Sequence, residues 1–251
     1  MSIRIKSPQE IEKMRVAGKA VATALKEAKK VIVEGATARD VEDIVLRIYR
    51  ELKVRPGFKG YGGYPYATCV SVNEEVIHGF PKKNKVFKKG DVVSIDTGAI
   101  YQGYYGDAAV TYAVGEVDDL SKKLMEVTYK ALKKALELVR EGVRIGDIGY
   151  TIQSYVEENG FSVVREYVGH GIGSNLHEDP QVPNYGKKGT GVVLKSGMTI
   201  AIEPMVTAGS HEVRVLKDGW TVVTADGSRA AHYEHSIVVL KDGVEILTPW
   251  E

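Results

Sequence analysis

The sequence predicts an α/β (α+β) fold built from two related halves. Two features carry this prediction: a pair of amphipathic helix patterns precedes short apolar strand patterns in each half, and several motifs recur at one constant offset. The composition, 43% hydrophobic and 27% charged over 251 residues, is typical of a globular protein with a large core. We therefore expect one domain over residues 1–251, with repeat halves of about 7–115 and 119–245.

Four helices are expected from their start signals and apolar periodicity. The first begins at Ser7-Pro8-Gln9-Glu10, a capping-box pattern with proline at the first helical position. The second opens at Thr37, with Asp40 three residues later. The predicted helices cover about 8–33, 38–52, 119–140 and 146–159.

Short apolar runs predict the strands. They lie at about 68–72, 92–96, 107–114, 162–168, 198–203, 220–224 and 234–240. Ala225-Asp226-Gly227-Ser228 is typical of a hairpin turn, so we expect it to join the last two of these strands.

The internal repeat rests on two pairs of motifs. Gly35 and Asp40 in the first half match Gly142 and Asp147 in the second. The run from 90 to 96 likewise matches the run from 197 to 203. Every matched pair is offset by 107 residues, as 142 is from 35 and 203 is from 96. Two matches in the same order favour a duplicated architecture.

Charge and cysteine content exclude several classes of protein. The net charge of +1 gives no general attraction to nucleic acid, and the single cysteine, Cys69, forbids an intrachain disulfide, which suits a reducing compartment. Residues 1–6 contain no apolar signal segment, and no apolar run approaches the length of about 18 residues that a membrane span needs. We therefore expect a cytoplasmic protein with no membrane partner.

Four carboxylates fall at matching strand ends in the two halves. Asp96 and Glu203 end one strand of each half, and Asp107 and Glu234 begin the next. A single carboxylate at a strand end is usually solvated, but pseudo-twofold packing would bring these four to one point, where like charges need cations. With the imidazole of His170 they form an oxygen-rich ligand set that favours Mn²⁺, Fe²⁺ or Co²⁺. Two such ions, about 3.5–4 Å apart, are typical of hydrolases that cleave carbonyl or phosphoryl bonds.

A glycine-rich stretch over 169–180 surrounds the two histidines His170 and His177. Gly171 and Gly173 permit positive φ and leave room for close approach of a ligand. A zincin helix is excluded because Pro180 would break it and position 181 holds no histidine. Neither this stretch nor the one over 186–191 has the spacing of a nucleotide-binding loop, so no nucleotide is expected.

Over essentially its whole length, the chain resembles the type I methionine aminopeptidases. The motifs that carry the resemblance are Val72-Asn73-Glu74-Glu75-Val76-Ile77-His78-Gly79, Ser94-Ile95-Asp96, Gly106-Asp107, His170-Gly171-Ile172-Gly173, His177-Glu178-Asp179-Pro180, Ile202-Glu203-Pro204-Met205 and Tyr233-Glu234-His235. The resemblance implies the pita-bread (creatinase/aminopeptidase) fold, in which pseudo-twofold halves place helices over an antiparallel sheet. It also implies removal of the initiator methionine from nascent proteins and peptides when the second residue is small.

The resemblance assigns the metal ligands residue by residue. Asp96 would chelate one divalent ion, Asp107 and Glu234 would bridge two, and His170 with Glu203 would complete the second. Glu203 would also serve as the acid/base for the bridging water. A free amino terminus of the substrate would complete the coordination, which implies an exopeptidase.

Two further histidines and an apolar pocket are implied for the substrate. His78 and His177 would contact the substrate and not the metals, with His177 polarising the scissile carbonyl or its tetrahedral intermediate. The walls of the methionine pocket would be Tyr61, Tyr64, Cys69 and Trp220. Each of the four could equally be a packing residue. Leu176 and Phe58 stand where some relatives have an aromatic ring and a cysteine, which puts the shape of the pocket in question but not the reaction.

Two other functions compete with this one. A prolidase or aminopeptidase P of the same fold would share the metals but prefer proline after the scissile bond. A binding module on the ribosome or a nucleic acid would have kept the fold without catalysis. The spacing of His170 and His177 favours the methionine enzyme over a prolidase, and the presence of all five ligands and both substrate histidines argues against a binding module. We expect the protein to be a monomer. Lys82, Lys83, Lys85, Lys88 and Lys89 form a basic cluster, which is either a solvated loop or a transient contact with ribosomal RNA.

Overall fold

The computed structural model describes residues 3–251. Met1 and Ser2, which belong to the amino terminus expected to lack an apolar signal segment, lie outside this range. The helices of the described residues are α1 (Pro8–Ala28), α2 (Ala38–Glu51), α3 (Asp119–Leu138) and α4 (Ile145–Glu158), with a 3₁₀ turn (Lys29–Val31) after α1. All four predicted helices are confirmed, with limits that differ by a few residues at most.

The predicted start signals form as capping interactions. The Ser7 side chain accepts from the amide of Glu10, whose carboxylate accepts from the amide of Ser7 in return. Thr37 and Asp40 make the same reciprocal pair at the start of α2. Each pair satisfies amides that the first helical turn leaves without partners.

Fifteen strands are present among residues 3–251, many of them only two or three residues long. Those of the first half are β1 (Arg55–Pro56), β2 (Thr68–Val72), β3 (Glu75–Ile77), β4 (Val92–Tyr101) and β5 (Tyr104–Ala113). Those of the second half are β6 (Ser162–Val163), β7 (Gly169–Gly171), β8 (Glu178–Val182), β9 (Thr199–Ile202), β10 (Met205–Thr207), β11 (Val213–Val215), β12 (Val222–Thr224), β13 (Ala230–His232), β14 (His235–Val239) and β15 (Val244–Ile246).

The strands form antiparallel sheets against which the helices pack. In the first half, β4 lies between β5 on one side and β2 and β1 on the other. In the second half, the order is β15-β14-β9-β7-β8. Two three-stranded sheets, β13-β10-β6 and β11-β12-β3, complete the structure, and the second of these pairs a strand of each half. Helix α1 packs on β4 and β5, and α3 packs on β10 and β13.

Equivalent backbone contacts recur in the two halves at the predicted offset. The amide of Gly35 donates to Phe87, and the amide of Gly142 donates to Leu194. The isolated bridge between 37 and 86 recurs between 144 and 193. All of these pairs are 107 residues apart, as 144 is from 37 and 193 is from 86. We propose on this basis that 7–115 and 119–245 are duplicated halves of one domain.

The predicted hairpin at residues 225–228 is wrong. Strand β12 pairs with β11 and β3, whereas β14 pairs with β9 and β15. The carboxylate of Asp226 accepts from the amides of Ser210 (2.7 Å) and Ser228 (2.9 Å), and the chain continues into β13. Residues 225–226 do form a turn, but the strands on either side of it pair within different sheets, which the sequence pattern does not show.

Helix α1 and strand β5 approach each other closely next to Asp107, one of the predicted metal ligands. A Cβ on Gly106 in β5 would lie 2.6 Å from the amide nitrogen of Gly18 in α1, and a Cβ on Gly18 would overlap the carbonyl of Leu247. Both glycines therefore let backbones touch where any side chain would separate them. Because Gly106 directly precedes Asp107, this contact helps to fix the backbone that carries that carboxylate.

Within residues 3–251, no helix has both the length and the apolar content that crossing a bilayer requires.

Replacing Gly18 with alanine tests the close approach. Alanine is the better helix former by about 0.5–1 kcal/mol, so an uncrowded site would be stabilised. We expect instead a loss of about 1–3 kcal/mol in the free energy of unfolding, because the methyl group must displace the Leu247 backbone. The measurement is urea unfolding of the metal-free protein.

The matched control is Gly243→Ala, since a Cβ there meets nothing within 4 Å. That variant should be unchanged within about 0.5 kcal/mol. Equal stability of the two variants would contradict the packing argument.

Candidate metal centre

The four carboxylates are positioned by strands of both halves. Asp96 and Asp107 lie within β4 and β5, which extend beyond their predicted limits, so these two residues are inside strands and not at strand ends. Glu203 follows β9 and Glu234 precedes β14, and the pairing of His235 with Ile202 places these two glutamates opposite each other. Strand pairing within each half thus brings its two carboxylates together.

Hydrogen bonds between the halves bring the two pairs to one place. The amide of Glu234 donates to the carbonyl of Ala109 at 2.9 Å. The Ser236 hydroxyl donates to the carbonyl of Asp107 at 2.7 Å and accepts from the amide of the same residue at 3.0 Å. Strands β5 and β14 are therefore fixed against each other beside the carboxylates.

His170 joins this group through the neighbouring strand β7. Its Nε2 lies 3.5 Å from Glu203 Oε1 and 3.9 Å from Asp107 Oδ2. Its Nδ1 is 2.8 Å from the carbonyl of Gly171, which can only accept, so Nδ1 carries the proton and Nε2 presents a lone pair. Burial, followed by the neighbouring His177, lowers the pKa of His170 to about 3, so the ring is neutral. A neutral imidazole with this tautomer is ready to bind a metal ion.

Unpartnered buried atoms show that the cluster fits divalent cations. Asp96 Oδ1, Asp107 Oδ1 and Glu234 Oε1 are buried and have no hydrogen-bond partner. Ligand atoms of Asp107, His170 and Glu234 lie within 4.8 Å of one another, and so do those of Glu203, His232 and Glu234, so Glu234 belongs to both groups. A residue shared by both groups is what a bridging ligand requires. The donors are oxygens and imidazoles, with no thiolate, as hard divalent ions prefer.

The raised pKa values of the four carboxylates also indicate that the cluster requires a cation. Burial raises the pKa of Asp96 to about 7 and that of Glu203 to about 8. Burial, followed by repulsion from Asp96, raises the pKa of Asp107 well above its ordinary value, and burial followed by Asp107 does the same for Glu234. Four carboxylates in this space cannot all ionise alone at neutral pH. Divalent cations would supply the missing opposite charge.

The two other predicted histidines lie beside this cluster. The ring of His177 is exposed and stands edge-on to His170, with 4.4 Å between ring centroids. The hydroxyl of Tyr61 is 2.8 Å from its Nδ1. His78 follows β3 in the left-handed region, at φ 59°, where a side chain other than glycine is strained. Its ring is edge-on to Trp220.

All the predicted pocket walls line a cavity of about 160 Å³ that reaches the carboxylates. Tyr64 and Cys69 are buried, so they are core residues as well as walls. The rings of Trp220 and Tyr64 are edge-on to each other, with 5.1 Å between their centroids. Phe58 and Leu176 complete the apolar lining. Burial raises the pKa of Cys69 well above its ordinary value, so this free thiol remains neutral. The cavity thus has an apolar wall and a carboxylate–histidine wall.

Comparison with known proteins identifies the family. The sequence profile of metallopeptidase family M24 matches residues 12–241. Methionine aminopeptidase 1 of Bacillus subtilis is 50% identical over 243 residues, which are 97% of this chain and 98% of that protein. The chain belongs to metallopeptidase family M24. Within that family it groups with the type I methionine aminopeptidases, as predicted.

Solved structures confirm the fold. The crystal structure of methionine aminopeptidase from Thermotoga maritima is 63% identical, with a TM-score of 0.98 over 98% of this chain and 99% of that one. Prolidase from Pyrococcus horikoshii is 28% identical, with a TM-score of 0.79 over 98% of this chain but 64% of that one. The expected pita-bread fold and the expected class, a metal-dependent aminopeptidase, are therefore both confirmed.

His232 is the residue of this M24 centre that sequence reasoning missed. Its Nε2 lies 3.4 Å from Glu203 Oε2, and it is grouped with Glu203 and Glu234 as a candidate ligand. The signal was available: residues two apart in an extended chain face the same side, so His232 should accompany Glu234. It was overlooked because the motif recognised around Glu234 begins at Tyr233.

A buried ion pair anchors the loop that carries His177. Lys6 Nζ lies 2.6 Å from Glu178 Oε2, and both side chains are almost fully buried. The other oxygen of Glu178 accepts from the Asn175 amide and the Ser174 hydroxyl. The amide of Lys6 donates to Gly197, so the amino-terminal segment is tied to the second half. The Lys6 side chain occupies the space in which a Cβ on residue 173 would lie, so this position requires glycine. Neither Gly171 nor Gly173 has the positive φ that we expected.

Breaking this pair from one side should be costly. We expect Lys6→Met to lower the free energy of unfolding by about 3–5 kcal/mol, since the Glu178 carboxylate stays buried without its cation. Lys6→Met combined with Glu178→Gln should lose less than the sum of the single variants, because it leaves no unpaired charge. Urea unfolding of the metal-free variants measures both, and strict additivity would contradict the coupling.

Proposed function

We propose that this chain hydrolyses the peptide bond after the amino-terminal methionine of nascent proteins and peptides whose second residue is small. The observation that carries the proposal is the shared cavity, in which an apolar lining adjoins the carboxylate–histidine cluster. Such a cavity holds an apolar side chain next to the group that cuts the chain. The relatives at about half identity over almost the whole length are methionine aminopeptidases.

The metal ligands in this proposal are Asp96, Asp107, His170, Glu203 and Glu234. Two divalent ions would be held by these five residues: Asp107 and Glu234 would serve both ions, Asp96 one of them, and His170 with Glu203 the other. Support comes from the unpartnered oxygens and from the two ligand groups that share Glu234. When bound, the ions supply Lewis acidity and lower the pKa of water toward neutrality. Mn²⁺, Fe²⁺ and Co²⁺ suit these donors.

The remaining polar residues act on the substrate. Glu203 moves a proton between the attacking water and the leaving amine. His177 donates a hydrogen bond from Nε2 to the scissile carbonyl oxygen, and in this tautomer its Nδ1 accepts from the Tyr61 hydroxyl, which lies 2.8 Å away. His78 contacts the substrate from the Trp220 side.

The methionine side chain occupies the apolar part of the cavity. Tyr61, Tyr64, Cys69 and Trp220 form its walls, and the edge-on contact between Tyr64 and Trp220 gives it a fixed shape. The thioether of methionine makes favourable contacts with aromatic ring edges. A charged side chain would lose its hydration here without gaining a partner.

Peptide cleavage tests this function directly. Metal-free protein, and protein reconstituted anaerobically with Mn²⁺, Fe²⁺ or Co²⁺, is incubated with Met-Ala-Ser, Met-Lys-Ser, Leu-Ala-Ser and Ala-Pro-Ser, and products are read by mass spectrometry. We expect metal-dependent release of methionine from Met-Ala-Ser alone. Cleavage of Ala-Pro-Ser instead would indicate a proline-directed peptidase, and no cleavage with any metal would favour a binding module.

Variants separate the ligands from the substrate contacts. Asp107→Asn and Glu234→Gln should each lose at least one metal ion per chain, because each removes a bridging charge. His177→Ala should retain the metals and lower turnover by about 100-fold, the usual cost of one oxyanion donor. Elemental analysis and peptide turnover are the measurements. Equal metal loss in all three variants would show that His177 has been assigned wrongly.

We also propose a cytoplasmic monomer that touches the ribosome transiently. The buried Cys69 thiol suits a reducing compartment. Four lysines of the basic cluster, Lys82, Lys83, Lys88 and Lys89, are exposed, whereas Lys85 pairs with Glu75 at 2.6 Å. Light scattering should give the mass of one chain, and a larger mass would contradict the monomer.

The ribosome contact is tested by co-sedimentation. Reversing the charge of the four exposed lysines should weaken binding, more so at low salt, because such contacts are electrostatic. The control reverses the charge of four other exposed lysines, Lys19, Lys26, Lys29 and Lys30. Unchanged sedimentation, or an equal loss in the control, would leave a solvated loop as the explanation.

A further inference from the structure

His232 is held rigidly beside the metal centre. It ends β13, and it pairs across the sheet with Met205. Its backbone amide donates to Thr111 Oγ1 at 2.9 Å, and its carbonyl accepts from the same hydroxyl at 2.7 Å. The whole residue is 1% exposed. Two backbone hydrogen bonds to one side chain of β5 therefore fix where the imidazole lies.

The imidazole faces one oxygen of Glu203. Its Nε2 is 3.4 Å from Oε2, while Nε2 of His170 is 3.5 Å from Oε1. The carboxylate thus lies between two imidazoles, one at each oxygen. Nε2 of His232 is buried and makes no hydrogen bond among residues 3–251, so the approach to Glu203 Oε2 at 3.4 Å is a close contact that does not have full hydrogen-bond geometry. A buried ring nitrogen left without a partner costs about 1–3 kcal/mol, so a packing role alone would favour an apolar side chain.

We propose that His232 is a positioning residue for Glu203: its Nε2–H holds Oε2 and so leaves Oε1 directed toward the metal centre. This role rests on the proposed function, in which Glu203 binds a metal ion and moves a proton. A carboxylate free to rotate would serve neither task well, because each needs a defined oxygen at a defined place.

The structure distinguishes this role from that of a further metal ligand. A metal-binding histidine almost always donates its second ring N–H to a fixed acceptor, as His170 does to the carbonyl of Gly171. No group of residues 3–251 is hydrogen-bonded to Nδ1 of His232, so nothing fixes the tautomer that would leave a lone pair on Nε2. The other tautomer, with the proton on Nε2, is the one that pairs with a carboxylate.

Two substitutions test the proposal. His232→Gln keeps an N–H donor of similar reach, and His232→Leu keeps the volume but removes the donor. Calorimetric titration of the metal-free proteins with Mn²⁺ and Co²⁺ gives the affinity of each site. We expect His232→Leu to weaken one site by about 10- to 100-fold, and His232→Gln to stay within about threefold of the unsubstituted protein. With Met-Ala-Ser, His232→Leu should lower kcat more than it changes KM.

The matched control is His235, another buried histidine, which begins the next strand, β14. The ring of His235 stacks on Trp250, its Nδ1 is hydrogen-bonded to Thr248, and its Nε2 lies 3.7 Å from Glu251 Oε1, so none of these contacts is with a predicted metal ligand. His235→Leu should leave both metal affinities unchanged within about threefold. Urea unfolding of the metal-free variants verifies that all of them fold. If His232→Leu does not fold, His232→Ala takes its place in the same comparison.

Two results would overturn the proposal. Unchanged metal affinity and unchanged kcat in the donor-free variant would show that His232 only fills space. Equal weakening in His232→Gln and His232→Leu, together with a changed Co²⁺ absorption spectrum, would make His232 a ligand. The proposed function fails separately, since it would be contradicted by unsubstituted, metal-loaded protein that releases no methionine, while the metal titrations would still decide the role of His232.

Discussion

Four carboxylates share one buried space, and the rest of the structure depends on that constraint. Burial and mutual repulsion raise the pKa values of Asp96, Asp107, Glu203 and Glu234, and several of their oxygens have no protein partner. Such an arrangement is unfavourable by itself, so binding of divalent cations adds directly to the stability of the folded state. The fold has to hold the carboxylates close together before any cation arrives.

Rigid strands of both halves do this. Asp96 and Asp107 lie within the two longest strands, and Ser236 links β5 to β14 through both its donor and its acceptor. Asp96 and Asp107 come from the first half and His170, Glu203 and Glu234 from the second, so the candidate site needs residues of both halves. Side chains on paired strands are placed more accurately than side chains on loops, and a shared metal centre needs that accuracy.

The substrate side of the cavity is built differently. His177 lies on an exposed segment that is held by Tyr61 and by the ion pair of Lys6 with Glu178. Prolidase from Pyrococcus horikoshii has the same fold at 28% identity, so the fold does not decide which bond is cut. Residues on the substrate side can change specificity while the strands that carry the carboxylates remain the same.

The sequence by itself determined the four helices, the five carboxylate and histidine ligand candidates and the family, because capping, periodicity and short motifs can be recognised without knowledge of the packing. Only the tertiary structure decided how β12 pairs, why residue 173 is glycine, and that His232 faces Glu203. Strand pairing and contacts between side chains bring together residues that are far apart in the sequence. Their energies depend on surfaces that exist only after the halves pack, so no local pattern encodes them.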